Sequence, residues 1–221
     1  QIAVYAMIFP YILKQQQPHY LIFVCVGLIP WSFFTTTIIQ STNTIIGNAN
    51  IVKKVYFPRE ILPLSVVLSG AINFLIATII ILAFCIGEGK GITWHIVIFP
   101  AILLLQMILQ LAISFVLAAV TVYIRDVEHF VQIILMLMFY ATPIVYSTAT
   151  LDGSTKTAQF MKKVIMINPM TTIIEGYRSI FYSQTLPDFK NIGIWYVISI
   201  VLLVIGWLIF KKLQKGFAEE L

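Results

Sequence analysis

"PLSVVLSGAINFLIATIIILAFCI", residues 63–86, carries no Asp, Glu, Lys, Arg or His between positions 64 and 86. An α-helix rises about 1.5 Å per residue, so ~20 apolar residues cross the ~30 Å hydrocarbon layer of a bilayer. This stretch is long enough to do so, and it is not alone. Similar runs lie at 21–46, 96–124, 128–147 and 192–210. With 221 residues, 60% hydrophobic, 10% charged and a mean hydropathy of +0.95, the chain has more apolar surface than a soluble domain could cover. The sequence predicts an all-α integral membrane protein, a single transmembrane domain over 1–221, with five full crossings.

Residues 1–13, QIAVYAMIFPYIL, are apolar but too short to cross, and they lack the basic start and cleavage site of a signal peptide. They read as the end of a helix whose beginning is missing; an interfacial segment or a genuine N-terminus are the other readings.

The core spans 21–46, 64–86, 96–124, 130–147 and 192–210 contain no Asp, Glu, Lys, Arg or His. Ion-coupled carriers and voltage sensors keep such groups at membrane depth, where each costs ~2.5–3.5 kcal/mol on insertion scales. A transporter without them takes its energy from elsewhere. The net charge of +5 forms no continuous patch, which argues against nucleic acid. It fits orientation better: Lys211, Lys212, Lys215, Arg125, Lys53, Lys54 and Arg59, seven of the 14 Lys and Arg, fall on one side and predict a cytoplasmic C-terminus. Lys156, Lys162, Lys163, Arg178 and Lys190 lie on the opposite side and weaken that signal.

Uncharged polar residues recur at helical spacing: Ser32, Thr36, Gln40, Thr44; then Ser65, Ser69, Asn73; then Gln106, Gln110, Ser114. Each set shares one helix face. They serve helix packing, or they line a hydrated path within the chain or at a dimer seam. The final span has only Ser199 and is placed toward lipid. Aromatics gather at Trp31, Phe33, Phe34 and at Phe139, Tyr140, Tyr146, as an interfacial belt or as faces on which sugar rings stack. Pro30 and Pro143, each inside an expected span, predict kinks.

Several features carry no chemistry. Cys25 and Cys85 sit in apolar spans and make neither a disulfide framework nor a metal site. His19, His95 and His129 are isolated, with no metal-ligand spacing. "GEGKGIT", 87–93, lacks the spacing of a phosphate loop and reads as a turn. No catalytic residue, metal site or cofactor is expected in this chain. The tract 148–190 is too long for a hairpin and predicts two short helices broken at Asn168 and Pro169. There Glu175 and Arg178 share a face, as an ion pair or as part of a gate.

The polar exception is "NIVKKVYFPREIL", 50–62. Pro58 disfavours helix at Phe57 and suits a first helical turn, so a short helical element is predicted on the cytoplasmic face. Tyr56 and Phe57 fit a partner's pocket, rimmed by Lys53, Lys54, Arg59 and Glu60; an ordinary turn held by lipid phosphates is the alternative.

In order along the chain, "LIPWSFF", "NANIVKKVYFPREILPLS", "YIRDVEHF", "FYATPIVYS" and "INPMTTIIEGYRSIF" resemble the membrane subunit of ABC type-2 exporters of polysaccharides and polyol phosphates: the O-antigen, capsule and teichoic-acid permeases. The resemblance runs from about residue 21 to the C-terminus. It implies six transmembrane helices, the first incomplete here, in a homodimer bound to two copies of a separate ATPase subunit that holds ATP and Mg. The cargo it implies is a lipid-linked glycan or polyol phosphate polymer, moved across a bacterial cytoplasmic membrane. Lys53, Lys54, Val55, Tyr56, Phe57, Pro58, Arg59 and Glu60 would form the coupling helix, with Arg125 and Asp126 in a second cytoplasmic turn. The tract around Asn168, Pro169, Glu175, Tyr177 and Arg178 would form the outer gate helices. Trp31, Phe34, Phe139 and Tyr140 would line the channel, and Ser32, Thr36, Gln110 and Tyr146 join them from the stripes and aromatic clusters. The sequence departs from the family in lacking the N-terminal interfacial helix and most of the first span. An ABC exporter of a lipid or drug, a passive channel or ion-driven carrier, and a non-transporting scaffold are the alternatives.

Overall fold

The computed structural model describes residues 19–54, 57–91, 93–147 and 165–220, apart from the side chains of 218 and 219. The expected partial span at 1–13, Val55 and Tyr56 of the charged turn, and positions 148–164 lie outside the described residues.

All regular structure among the described residues is helical. In chain order it comprises α1 (Tyr20–Thr42), α2 (Thr44–Gly47), α3 (Ala49–Lys54), α4 (Ile61–Gly87), α5 (Phe99–Tyr123, entered through a tight turn at Trp94–Ile98), α6 (Val127–Ala141), α7 (Pro169–Arg178, continued by a wide turn at Ser179–Ser183), α8 (Phe189–Leu213) and α9 (Phe217–Glu220). Among the described residues, four helices are long and apolar enough to cross a membrane: Tyr20–Thr42, Ile61–Gly87, Trp94–Tyr123 and Phe189–Gly216.

Local chemistry sets the ends. Asn168 caps α7, its side chain accepting from the Met170 N–H at 3.0 Å, with Pro169 in the first turn. Asp188 opens α8 by accepting from the N–H groups of Lys190 and Asn191 at 3.1 and 3.3 Å. Residues 88–91 leave α4 as a turn, with the N–H groups of Lys90 and Gly91 both donating to the Cys85 carbonyl.

Three expectations are corrected. The span foreseen at 128–147 is the 15-residue α6, roughly 22 Å long at the helical rise and short of the ~30 Å core. It ends at Ala141, before Pro143, so Pro143 terminates a helix where a kink was expected. The span foreseen at 21–46 stops at Thr42, and residues 44–47 form the separate α2. Of the element foreseen at 50–62, the described residues show the short helix α3 as far as Lys54 and a turn at Arg59 and Glu60 before α4 starts at Ile61. Pro30, by contrast, lies inside a continuous α1.

The chain divides into two compact units. The first comprises 1–32, 74–102 and 137–193. Its centre is an aromatic group in which Phe74 packs on Phe99 and Tyr177, at centroid distances of 6.0 and 5.6 Å, and Phe99 meets the edge of Phe181 at 5.7 Å. The second comprises 33–73, 103–136 and 194–221. Its core joins Ile45, Val52, Phe115, Ala118, Ala119, Val122, Phe210 and Phe217. Small residues bring its helices close: a side chain at Gly206 would place its Cβ 2.6 Å from the Ala112 carbonyl oxygen. Along α8, Val197, Ile200, Val201, Val204, Ile205 and Leu208 are exposed, an apolar surface suited to lipid, while Ser199 is buried.

Candidate functional site

The charged turn belongs to the second unit and is built around one buried anchor. Val52 of α3 is buried in the core with Phe217, and Phe57 packs against the same cluster. That leaves Lys53 and Lys54 exposed at the C-terminal end of α3, where cations complement the helix dipole. After Pro58 the chain bends into α4, with the N–H groups of Ile61 and Leu62 donating to the carbonyls of Pro58 and Arg59 at 3.2 Å.

Arg59 and Glu60 do not point away from the protein as a rim would. Arg59 donates through Nη1 to the Gln214 carbonyl, and its guanidinium lies 5.8 Å from the centre of the Phe217 ring. The Glu60 carboxylate pairs with Nζ of Lys211. Burial acts to raise the Glu60 carboxyl, but the hydrogen bond and charge of Lys211, with a backbone N–H, outweigh it and hold the group below its ordinary value. Phe57, Pro58, Arg59, Glu60, Lys211, Gln214 and Lys215 line a cavity of about 410 Å³. Arg125 and Asp126 are exposed in a different turn, between α5 and α6, where the Asp126 carbonyl accepts from the N–H groups of His129 and Phe130.

The polar stripes divide by exposure. Ser32, Thr36 and Gln40 on α1, and Ser65, Ser69 and Asn73 on α4, are exposed. Gln106, Gln110 and Ser114 on α5 are buried, and the Ser114 hydroxyl donates to that of Ser41 at 2.9 Å. Both side-chain polar atoms of Gln110 are buried without a partner among the described residues. Of the aromatic channel candidates, Trp31 and Phe34 are buried, and Trp31 meets Phe139 edge-on at 5.9 Å. Tyr140 is exposed, and the Tyr146 hydroxyl donates to the Tyr140 carbonyl at 3.1 Å.

The family model described as ABC-2 type transporter matches residues 1–182. An O-antigen export system permease protein of Myxococcus xanthus is 33% identical over 218 residues, 99% of this chain and 82% of that protein. Two Klebsiella pneumoniae proteins of the same description are each 34% identical over 220 residues, with the same coverage. The chain belongs to the ABC-2 type transporter family.

In this ABC-2 protein the residues foreseen as an outer gate include a buried arginine site in the first unit. Arg178 is buried, and its guanidinium donates to the carbonyls of Pro143 and Ile144. It also stacks 3.7 Å from the centre of the Phe23 ring. Glu175 is a weaker partner at 3.4 Å. The next carbonyl, of Val145, accepts from the Tyr20 hydroxyl at 3.0 Å, and Thr142 accepts from the Asn168 amide at 2.8 Å. Segment 142–145 is therefore held by α1 and α7 where α6 has ended. Burial pushes the guanidinium down to about 10, opposed by the charge and hydrogen bond of Glu175, so it remains a cation at neutral pH. Tyr177 is buried among Phe74 and Phe99.

Sequence reading paired Arg178 with Glu175 and missed its principal partners, the two backbone carbonyls, because they lie more than thirty positions away. It also missed Gly27, where a Cβ would come within 2.7 Å of the Ile144 oxygen and 3.0 Å of the guanidinium. Lys211 and Gln214 were missed as partners of the charged turn for the same reason of distance along the chain. Among the described residues, no group of three or more His, Cys, Asp or Glu is placed to hold a metal ion.

Proposed function

We propose that this ABC-2 protein is the permease subunit of an ATP-driven exporter that moves a lipid-linked polysaccharide or teichoic-acid-like polymer across the bacterial cytoplasmic membrane. The observation that carries the proposal is the 33–34% identity to O-antigen export permeases over 99% of the chain. The long apolar helices, whose central stretches contain no Asp, Glu, Lys, Arg or His, support an energy source outside them. ATP and Mg belong on a separate ATPase subunit, two copies of which serve a homodimer of this chain.

The site residues take roles consistent with that reading. With the C-terminus cytoplasmic, Lys53 and Lys54 on α3 present exposed cations to the ATPase, beside Val55, Tyr56 and Phe57. Pro58, Arg59 and Glu60 fix the turn behind them, and Arg125 and Asp126 offer a second contact. The exposed Thr36 and Gln40 of α1, and Ser69 and Asn73 of α4, are poorly suited to lipid, because a polar group without a partner in hydrocarbon costs several kcal/mol. A second copy or a hydrated polymer satisfies them. Trp31, Phe34, Gln110, Phe139, Tyr140 and Tyr146 are the further channel candidates, with Tyr140 the exposed one. Asn168, Pro169, Glu175, Tyr177 and Arg178 form the outer gate.

The test is export in a strain deleted for its own O-antigen permease and ATPase genes, complemented with this chain and the ATPase encoded beside it. Surface polymer that returns only with both, and is lost when the ATPase cannot hydrolyse ATP, is the expected result. Export by the chain alone overturns the ATP-driven reading in favour of a channel or ion-driven carrier. ATPase association with release of a drug or lipid, and no polymer, overturns the cargo.

A further inference from the structure

Like any helix, α8 ends with carbonyl groups that have no partner within it, and such groups at a membrane boundary are met by water, side chains or the next turn. In this chain, side chains from the end of α5 and from the turn before α4 meet the carbonyls at this end. The Tyr123 hydroxyl, at the end of α5, donates to the Leu213 carbonyl at 2.7 Å. Arg59, from the turn before α4, donates to the Gln214 carbonyl. One turn earlier, Lys211 takes the Glu60 carboxylate. The chain beyond this point is held as well: Phe217 is fully buried, packed against Phe210 at 5.7 Å and Tyr123 at 6.3 Å, with the Arg59 guanidinium near its ring. All of these residues belong to the second unit.

We infer that Lys211 is a positioning residue for energy coupling: with Gln214 it clamps the end of the last span to Arg59 and Glu60, so that a push on the charged turn moves α8 together with α4. The inference rests on the reading of that turn as the ATPase contact. It assigns Arg59 and Glu60 a different task from Lys53 and Lys54. The two lysines, exposed on α3, meet the partner; Arg59 and Glu60 face the chain's own C-terminal segment and pass the movement on. The clamp also accounts for the opposed charges here. Lys211 and Arg59 meet a carboxylate and a carbonyl, while Lys215 remains exposed at the cavity rim. The Glu60–Lys211 pair is partly solvated and adds little to folding, so its charges are better suited to fixing the register of two segments than to holding the fold.

The test uses the full permease–ATPase complex in proteoliposomes, scored for ATPase co-purification, ATP hydrolysis and polymer exported per ATP hydrolysed. With K211E, the ATPase is expected to remain bound while export per ATP falls roughly fivefold, the low end of coupling between sites. K211R retains the unaltered ratio, and the swap E60K/K211E recovers most of it. If K211E does not accumulate as folded protein, K211M, which keeps the chain length and removes the charge, is the readout. An unaltered export-to-hydrolysis ratio in K211E or K211M, or a swap no better than K211E, overturns the inference while leaving the docking reading in place. Failure of the unaltered chain to retain any ATPase overturns the docking reading, and the clamp's role with it.

Discussion

At Arg178, one side chain replaces the helix that the sequence appeared to continue. Two backbone carbonyls freed where α6 stops receive a charged donor, and Phe23 covers its face. Replacing Arg178 by Met leaves both carbonyls buried without a donor, at about 1–3 kcal/mol each, partly offset by the removed cost of burying a cation; a net loss of about 2–4 kcal/mol is expected. Arg178→Lys recovers less than half, because an ammonium cannot span the two acceptors as a guanidinium does. Gly27→Ala, which sets a methyl against the same carbonyl and guanidinium, is expected to cost about 1–3 kcal/mol. Denaturant unfolding of the detergent-purified protein checks all three. Glu60 supplies a pH signature of the opposite unit. Its carboxyl is held below its ordinary value, so its contribution is fully present above the usual glutamate pKa of ~4.3 and lost as pH falls through the lower folded value. Any acid-induced loss that Glu60→Gln removes therefore lies below about pH 4.3, read from unfolding midpoints across that range.

Among the elements, the long apolar helices were legible because length and hydropathy are local properties: α4 and α8 lie within a few residues of the expected spans. Helix starts were legible too where a single side chain decides them, as at Asn168–Pro169. The end of α6 was not, because a proline that kinks one helix terminates another, and the carbonyl of this one is bonded by Arg178, distant in sequence. The charged turn was found from its composition, yet the direction of Arg59 and Glu60 was hidden, because Lys211 and Gln214 lie about 150 positions on. Stripe spacing identified helix faces without separating those left exposed on α1 and α4 from the one buried on α5, since periodicity carries no information on which neighbour arrives. Packing at α8 gives the element-scale test. Alanine in place of glycine ordinarily favours a helix by about 1 kcal/mol, but Gly206→Ala is expected to destabilise, since its methyl meets the Ala112 carbonyl. A higher unfolding midpoint in that variant contradicts the close approach.

For the whole molecule, sites of different character fall to different units: an arginine-pinned gate candidate in one, a charged turn tied to the last span in the other. That division is consistent with the proposed role of a permease driven by a separate ATPase. Reversing Lys53 and Lys54 together to Glu is expected to reduce ATPase co-purification at least about tenfold without changing the unfolding midpoint, because both side chains are exposed. The central claim is ATP-driven export, and polymer translocation into sealed vesicles bearing this chain and its ATPase tests it most directly. Polymer protected inside inverted vesicles, accumulating with ATP and absent with a non-hydrolysable analogue, is the expected result. Equal accumulation without ATP, or hydrolysis with no polymer crossing, would contradict it.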